Sequence, residues 1–89
     1  MLTVRIPTSM RVLTEGRDEV EVEGATVGAA LADLDRRHPG VHGRVFDDAG
    51  MRRFVAIFVD QDDVRYLDGL YTPLHGREQI TILQAVAGG

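Results

Sequence analysis

Apolar and polar residues alternate from the start of the chain: Leu2, Val4 and Ile6 fall on one side of Leu2-Thr3-Val4-Arg5-Ile6, and Thr3 and Arg5 on the other. A period of two marks a half-buried strand, and Pro7, which has no N–H to give a ladder, ends it. The alternation returns in Asp18-Glu19-Val20-Glu21-Val22-Glu23, after a turn at Glu15-Gly16. Two such segments predict a hairpin with a longish connection, wet on one face and packed on the other.

The period then changes. Gly24-Ala25-Thr26 interrupts the alternation, and from Val27 the apolar residues fall at Val27, Ala30, Leu31 and Leu34. That spacing predicts an amphipathic helix with Thr26 as its N-cap and Asp33, Asp35, Arg36 and Arg37 on its outer side. His38-Pro39-Gly40 closes it, because proline cannot continue a helix and glycine suits the exit turn. Val41 to Gly50 reads as a loop with at most a short helical turn. A strand is predicted over Arg52 to Val59, with Val55, Ile57 and Val59 on one face and Phe54, Ala56 and Phe58 on the other. The acidic turn Asp60-Gln61-Asp62-Asp63 leads to a short strand over Val64 to Leu67, and a loop holding Gly69, Pro73 and Gly76 precedes a last strand over Gln79 to Leu83.

Strand, strand, helix, strand, short strand, strand is the order of an α+β roll. It predicts a mixed sheet covered on one face by the helix, with the last strand parallel to the first. Residues 1–84 are expected to form one domain and residues 85–89 a projecting tail.

At 89 residues such a domain buries one modest core and has little room for an enclosed active site. The absence of cysteine removes disulfides, a thiol nucleophile, a persulfide site and thiolate metal ligands. A net charge of −4, with both signs scattered, argues against a nucleic-acid partner. No apolar run approaches a membrane span, and MLTVRIPTSMR lacks the apolar stretch of a signal peptide. These features predict a soluble cytoplasmic protein, monomeric when alone. All ten basic residues are arginine, so the chain offers no lysine for isopeptide attachment to itself.

Candidate chemistry is sparse until the last residues. His38 and His42 have the spacing of a helical metal pair, but Pro39 and Gly40 break any helix between them. The run from Asp60 to Asp63 has Arg65 where a calcium loop needs its glycine and Tyr71 where it needs its closing Glu, so it reads as a solvated turn. Ser9 is the one serine and has no His or acidic residue at a motif spacing, and Asp47-Asp48 reads as a wet pair in a loop. No catalytic residue and no metal site is expected.

The ending, QITILQAVAGG, is different. At a glycine frequency of about 7%, two terminal glycines arise by chance in roughly one chain in 200. Lacking Cβ atoms, Gly88 and Gly89 form the narrowest possible backbone, and the reacting group of such an end is the Gly89 carboxylate. At about 3.3 Å per extended residue, Ala85 to Gly89 reach roughly 16 Å, enough to enter a partner's active site while the body stays outside. A docking surface beside the tail root is predicted from Phe54 and Phe58, from Leu83 opposite Ile80 and Ile82, and from Arg5 on the same outer face. The competing arrangement makes the two Phe side chains core and turns Val55, Ile57 and Val59 toward a loop.

Three features together resemble the ThiS/MoaD family of ubiquitin-like sulfur carriers: the strand order, the stretch Arg53-Phe54-Val55-Ala56-Ile57-Phe58-Val59 followed by Asp63-Val64-Arg65, and the ending Ile80 to Gly89. The resemblance is nearest to the CysO branch, whose members share this length and a Val-Ala-Gly-Gly ending. It implies a β-grasp fold and a protein that is a co-substrate of enzymes without being one. An E1-like adenylyltransferase would activate Gly89 with ATP, a sulfur donor would convert it to a thiocarboxylate, and Ala85, Val86, Ala87 and Gly88 would carry it into the partner. In the CysO branch a cysteine synthase using pyridoxal phosphate accepts the sulfur, and a metalloprotease releases the cysteine. Both cofactors would be used in trans, with none bound here. Other members imply other roles: small subunit of molybdopterin synthase, donor for a thiazole, a thionucleoside or a secondary metabolite, or a ubiquitin-like modifier joined to lysines of other proteins.

Overall fold

The computed structural model describes residues 2–76 and 78–85. Strand β1 (Leu2–Arg5) runs antiparallel to β2 (Glu19–Val22), pairing Leu2 with Val22 and Arg5 with Glu19. Helix α1 (Val27–Arg37) follows, then a short α2 (Val41–Val45) and a two-stranded ribbon of β3 (Phe46–Asp47) and β4 (Gly50–Met51). Strand β5 (Val55–Val59) turns into the two-residue β6 (Asp62–Asp63), and β7 (Gln79–Gln84) ends the described fold. The main sheet has the order β2-β1-β7-β5-β6, with β7 parallel to β1 and antiparallel to β5, which is the mixed sheet that the sequence predicts.

The alternation decides which side packs. Leu2, Val4, Val20, Val22, Val55, Ile57, Val59, Ile80 and Ile82 are buried on one face, and Val27, Ala30, Leu31 and Leu34 of α1 close over them. Thr26 caps α1 as expected, its hydroxyl accepting the Ala29 N–H at 3.2 Å. The approach of β2 to the helix is close at Gly24, where a Cβ would stand 2.4 Å from the Ala30 nitrogen. Only glycine fits there. At the turn after the long connection, Glu15 and Gly16 both take left-handed backbone angles.

Four local expectations are corrected. Asp33, predicted on the outer side of α1, is buried: it accepts the Glu23 N–H at 2.9 Å and the Arg37 Nε–H at 2.8 Å, and pairs with Arg36. The Glu23 amide lies just past β2 and needs an acceptor, which this carboxylate supplies. The strand predicted from Arg52 begins only at Val55, because the Val55 N–H turns back to the Arg52 carbonyl at 3.1 Å. Val64–Tyr66 forms a 3-10 turn and not a strand, started by the Asp63 carboxylate accepting the Arg65 N–H at 2.8 Å. The loop assigned to Val41–Gly50 has its short helical turn as α2, but it also holds β3 and the first residue of β4, which the sequence reading did not include.

The connection between β1 and β2 is a 3-10 helix over Thr8–Thr14, with Met10 and Thr14 buried. Ile6, Met10 and Leu13 repeat at a helical spacing that would have disclosed it, and all three pack on the core.

Candidate functional site

The outer face of the sheet, opposite α1, is where the predicted docking residues Arg5, Phe54, Phe58 and Leu83 lie. Along β7 the buried Ile80 and Ile82 alternate with Thr81 and Leu83, and Leu83 is 50% exposed. Ala56 is the β5 partner of Leu83, and Phe54, one residue before β5, is 45% exposed. Arg5 sits across β7 as the partner of Thr81. Arg5, Phe54 and Leu83 line one open concavity of about 770 Å³, which Ala85 also borders. The competing arrangement with Val55, Ile57 and Val59 outward is excluded, since all three are buried.

Phe58 is the exception among the predicted patch residues. It shares the outer face but is half-buried, paired with Thr81 on one side and Asp63 on the other, and it does not line the concavity. The row Glu19, Arg5, Thr81, Phe58, Asp63 crosses the sheet from edge to edge. Phe58 is flanked within that row on both sides, whereas Phe54 stands at its strand's open end.

The far wall of the concavity escaped the sequence reading. Ile6, Pro7, Ser9 and Arg11, from the end of β1 and the 3-10 helix, complete it. Arg11 is held by its Nε–H on the Ile6 carbonyl at 3.1 Å. Arg5 pairs with Glu19 at 3.2 Å, a half-exposed contact worth at most about 1 kcal/mol. The Arg53 guanidinium stands 5.8 Å from the Phe54 ring centre, adding about 0.5 to 1 kcal/mol at such an exposed position. Apolar floor and cationic rim together suit a transient protein partner. A second group of exposed apolar side chains, Tyr66, Leu67, Leu70 and Tyr71, lies on and beside the 3-10 turns after β6, and none of them lines this concavity.

The tail itself is described only at its root. The Ala85 N–H donates to the Phe54 carbonyl at 2.8 Å, so the first predicted tail residue is still tied to the strand beside it. Val86, Ala87, Gly88 and Gly89 lie outside the described residues.

Elsewhere the chemistry is structural. Asp63 carries a bidentate contact from Arg65, with Nη2 at 2.7 Å, and the side-chain and backbone hydrogen bonds from Arg65 hold its carboxyl below the usual range. Among the described residues no group of three or more His, Cys, Asp or Glu is placed to hold a metal ion. His42 packs against Phe46 with the two rings tilted by 33° and their centres 4.8 Å apart. Also among the described residues, no helix is long and apolar enough to cross a membrane.

Comparison with known proteins bears on the family and the fold. The model of the ThiS family matches residues 4–89. The sulfur carrier protein CysO of Mycobacterium tuberculosis is 41% identical over 91 residues, covering 99% of this chain and 98% of the relative. Small archaeal modifier protein 3 of Haloferax volcanii is 31% identical over 67 residues, covering 75% and 73% of the two chains. The crystal structure of the Amycolatopsis orientalis BexX/CysO complex contains a chain that superposes with a TM-score of 0.92 at 39% identity, with both chains fully covered. The fold is therefore the ubiquitin-like β-grasp.

Proposed function

The chain belongs to the ThiS family, and from that membership we propose that it is a sulfur carrier whose Gly89 carboxylate becomes a thiocarboxylate. The observation that carries this reading is the end-to-end match to a sulfur carrier at 41% identity, together with a family match that runs to residue 89. The site geometry supports it. The tail root emerges beside an apolar, cation-rimmed concavity, so a partner that docks on Phe54 and Leu83 receives the end of the chain.

The chemistry follows from what a carboxylate lacks. It is a poor electrophile until it has a leaving group. An E1-like partner supplies one by adenylation: a Gly89 oxygen attacks the α-phosphorus of ATP, pyrophosphate departs, and an acyl-adenylate forms. A hydrosulfide-equivalent donor then displaces AMP, leaving sulfur in place of one oxygen. The chain has no cysteine, so its cargo rides on the terminal carbonyl carbon. The body supplies docking and delivery, and the chain is a co-substrate of its partners.

The kinship with CysO favours cysteine formation as the destination. There the thiocarboxylate sulfur adds to an aminoacrylate held by a cysteine synthase that uses pyridoxal phosphate. An S-to-N acyl shift leaves cysteine amide-linked to Gly89, and a metalloprotease cuts that amide. The likeness to an archaeal modifier protein favours a second reading, in which the activated Gly89 is joined to amines of other proteins.

Intact-protein mass spectrometry separates the two. The chain is incubated with ATP, a sulfur source and extract of its own source. A mass gain equal to one sulfur-for-oxygen exchange, absent in a Gly89 deletion, is the result expected of a carrier. A ladder of this chain on larger proteins with no such gain would overturn the carrier reading in favour of the modifier.

A further inference from the structure

Burial stops fixing the last strand at Ile82. Ile80 and Ile82 are fully packed, but Leu83, Gln84 and Ala85 are exposed, so the direction in which the chain leaves the fold rests on hydrogen bonds. On one side the β5 ladder continues: Gln84 pairs with Val55, and the Ala85 N–H reaches the Phe54 carbonyl at 2.8 Å. On the other side β1 gives out. It ends at Arg5, and Pro7 has no N–H to offer.

The 3-10 helix fills that gap. Ser9, in its first turn, donates its hydroxyl to the Gln84 side-chain oxygen, a contact between residues 75 positions apart. Ser9 is itself anchored, since Arg44 Nη2 on α2 donates to its carbonyl at 3.2 Å. The exit of the chain is thus gripped from β5 by backbone and from the 3-10 helix by a side chain.

We propose that Ser9 and Gln84 form a latch that sets the direction in which the C-terminal residues leave the body, making both of them positioning residues for activation of Gly89. The consequence for activation rests on the sulfur-carrier reading. With Ala85 held, four residues remain to span body and reacting carbon, a reach of about 13 Å at about 3.3 Å per residue. A partner whose docking surface and reactive centre lie that far apart receives the tail from a fixed starting point at Ala85. Loss of the latch leaves the apolar docking contacts at Phe54 and Leu83 in place and scatters the approach, so although Ser9 and Gln84 border the same concavity the cost falls far more on kcat than on KM.

Two readouts test this on the full chain. The first is amide hydrogen exchange: the Ala85 N–H is expected to be protected at least about tenfold against an unstructured peptide, and Ser9→Ala to remove that protection. The second is ATP–pyrophosphate exchange with the E1-like partner. Ser9→Ala and Gln84→Leu are each expected to lower kcat about tenfold with KM for the chain changed by less than about twofold. Ser9→Thr, which keeps the hydroxyl, restores kcat. Since both side chains are exposed, the melting temperature stays within about 2 °C in each variant. An unprotected Ala85 amide in the unmutated chain overturns the latch. So does a Ser9→Ala variant that loses protection but keeps its kcat. If the unmutated chain supports no exchange of pyrophosphate at all, the carrier reading fails, while amide exchange still decides the latch.

Discussion

Phe54 and Phe58 share the outer face of the central strand segment, four residues apart, yet only Phe54 opens onto the concavity beside the tail root. Phe58 is half-buried between Thr81 and Asp63, so the two rings do different work. Phe54→Ala is expected to weaken docking to the activating partner about tenfold, or 1 to 2 kcal/mol, and to leave thermal stability nearly unchanged. Phe58→Ala is expected to reverse the pattern, costing about 1 to 3 kcal/mol of stability with little effect on docking per folded molecule. Calorimetric titration and thermal melts on both variants decide it. Equal losses of docking in the two would show that the whole face binds as one surface.

Gly24 predicts a steric effect with an internal control. An added Cβ would stand 2.4 Å from the Ala30 nitrogen and 2.8 Å from the Ala29 carbonyl carbon, both backbone atoms of α1 that cannot rotate away. Gly24→Ala therefore pushes the helix off the sheet, at about 1 to 3 kcal/mol. Gly43, in α2, has open space around the same position, and Gly43→Ala is expected to stabilise by up to about 1 kcal/mol through helix propensity. Urea unfolding of the two variants gives opposite shifts of midpoint if the packing is as described. A Gly24→Ala midpoint equal to that of the unmutated chain contradicts the close approach.

Asp63 gives a pH dependence with a definite sign. Its carboxyl titrates below the ordinary 3.8, first because of the Arg65 side-chain hydrogen bonds. The folded state thus binds its proton less readily than the unfolded state. The stabilisation is present above the unfolded value and is lost as pH falls from about 4 through the lower folded value. Asp63→Asn removes this contribution. Its unfolding free energy is expected to fall less steeply than that of the unmutated chain between about pH 5 and pH 2. Parallel pH profiles in stepwise urea titrations would exclude the Arg65 pairing as their cause.

The legibility of this protein follows periodicity. Where one face is buried, as at Val55, Ile57 and Val59 or at Val27, Ala30, Leu31 and Leu34, alternation or helical spacing reports the core directly, and with it the outward placement of Phe54 and Leu83. The wall supplied by Pro7, Ser9 and Arg11 is only faintly legible: the spacing of Ile6, Met10 and Leu13 is the one signal of a helix there, and a 3-10 helix of seven residues shows little more than two turns of pattern. Asp33 was misread for another reason. Charge predicts exposure, and only the fold reveals that the Glu23 amide, just past β2, takes this carboxylate as its acceptor. Val64–Tyr66 failed as a strand because a single carboxylate, Asp63, diverts the backbone, an effect that β propensity does not register.

The terminal glycines carry the last prediction. Every strand and helix of the described fold is complete by Gln84, and Gly88 lies outside the described residues. Gly88→Ala is accordingly expected to melt within about 1 °C of the unmutated chain. Its effect should fall on activation, because a Cβ widens the backbone and narrows its conformational range at the position next to the reacting carbonyl. On the sulfur-carrier reading, a partner channel shaped for bare backbone would reject that methyl group by steric overlap, and a misplaced carboxylate would lose the in-line geometry needed to attack the α-phosphorus. A drop of about 10²-fold in the kcat/KM for ATP–pyrophosphate exchange is expected. Val86→Ala, which changes side-chain bulk while keeping a Cβ, should cost less. Were Gly88→Ala and Val86→Ala to reduce exchange equally, tail composition in general would matter, and the narrowness of the diglycine would lose its explanatory role.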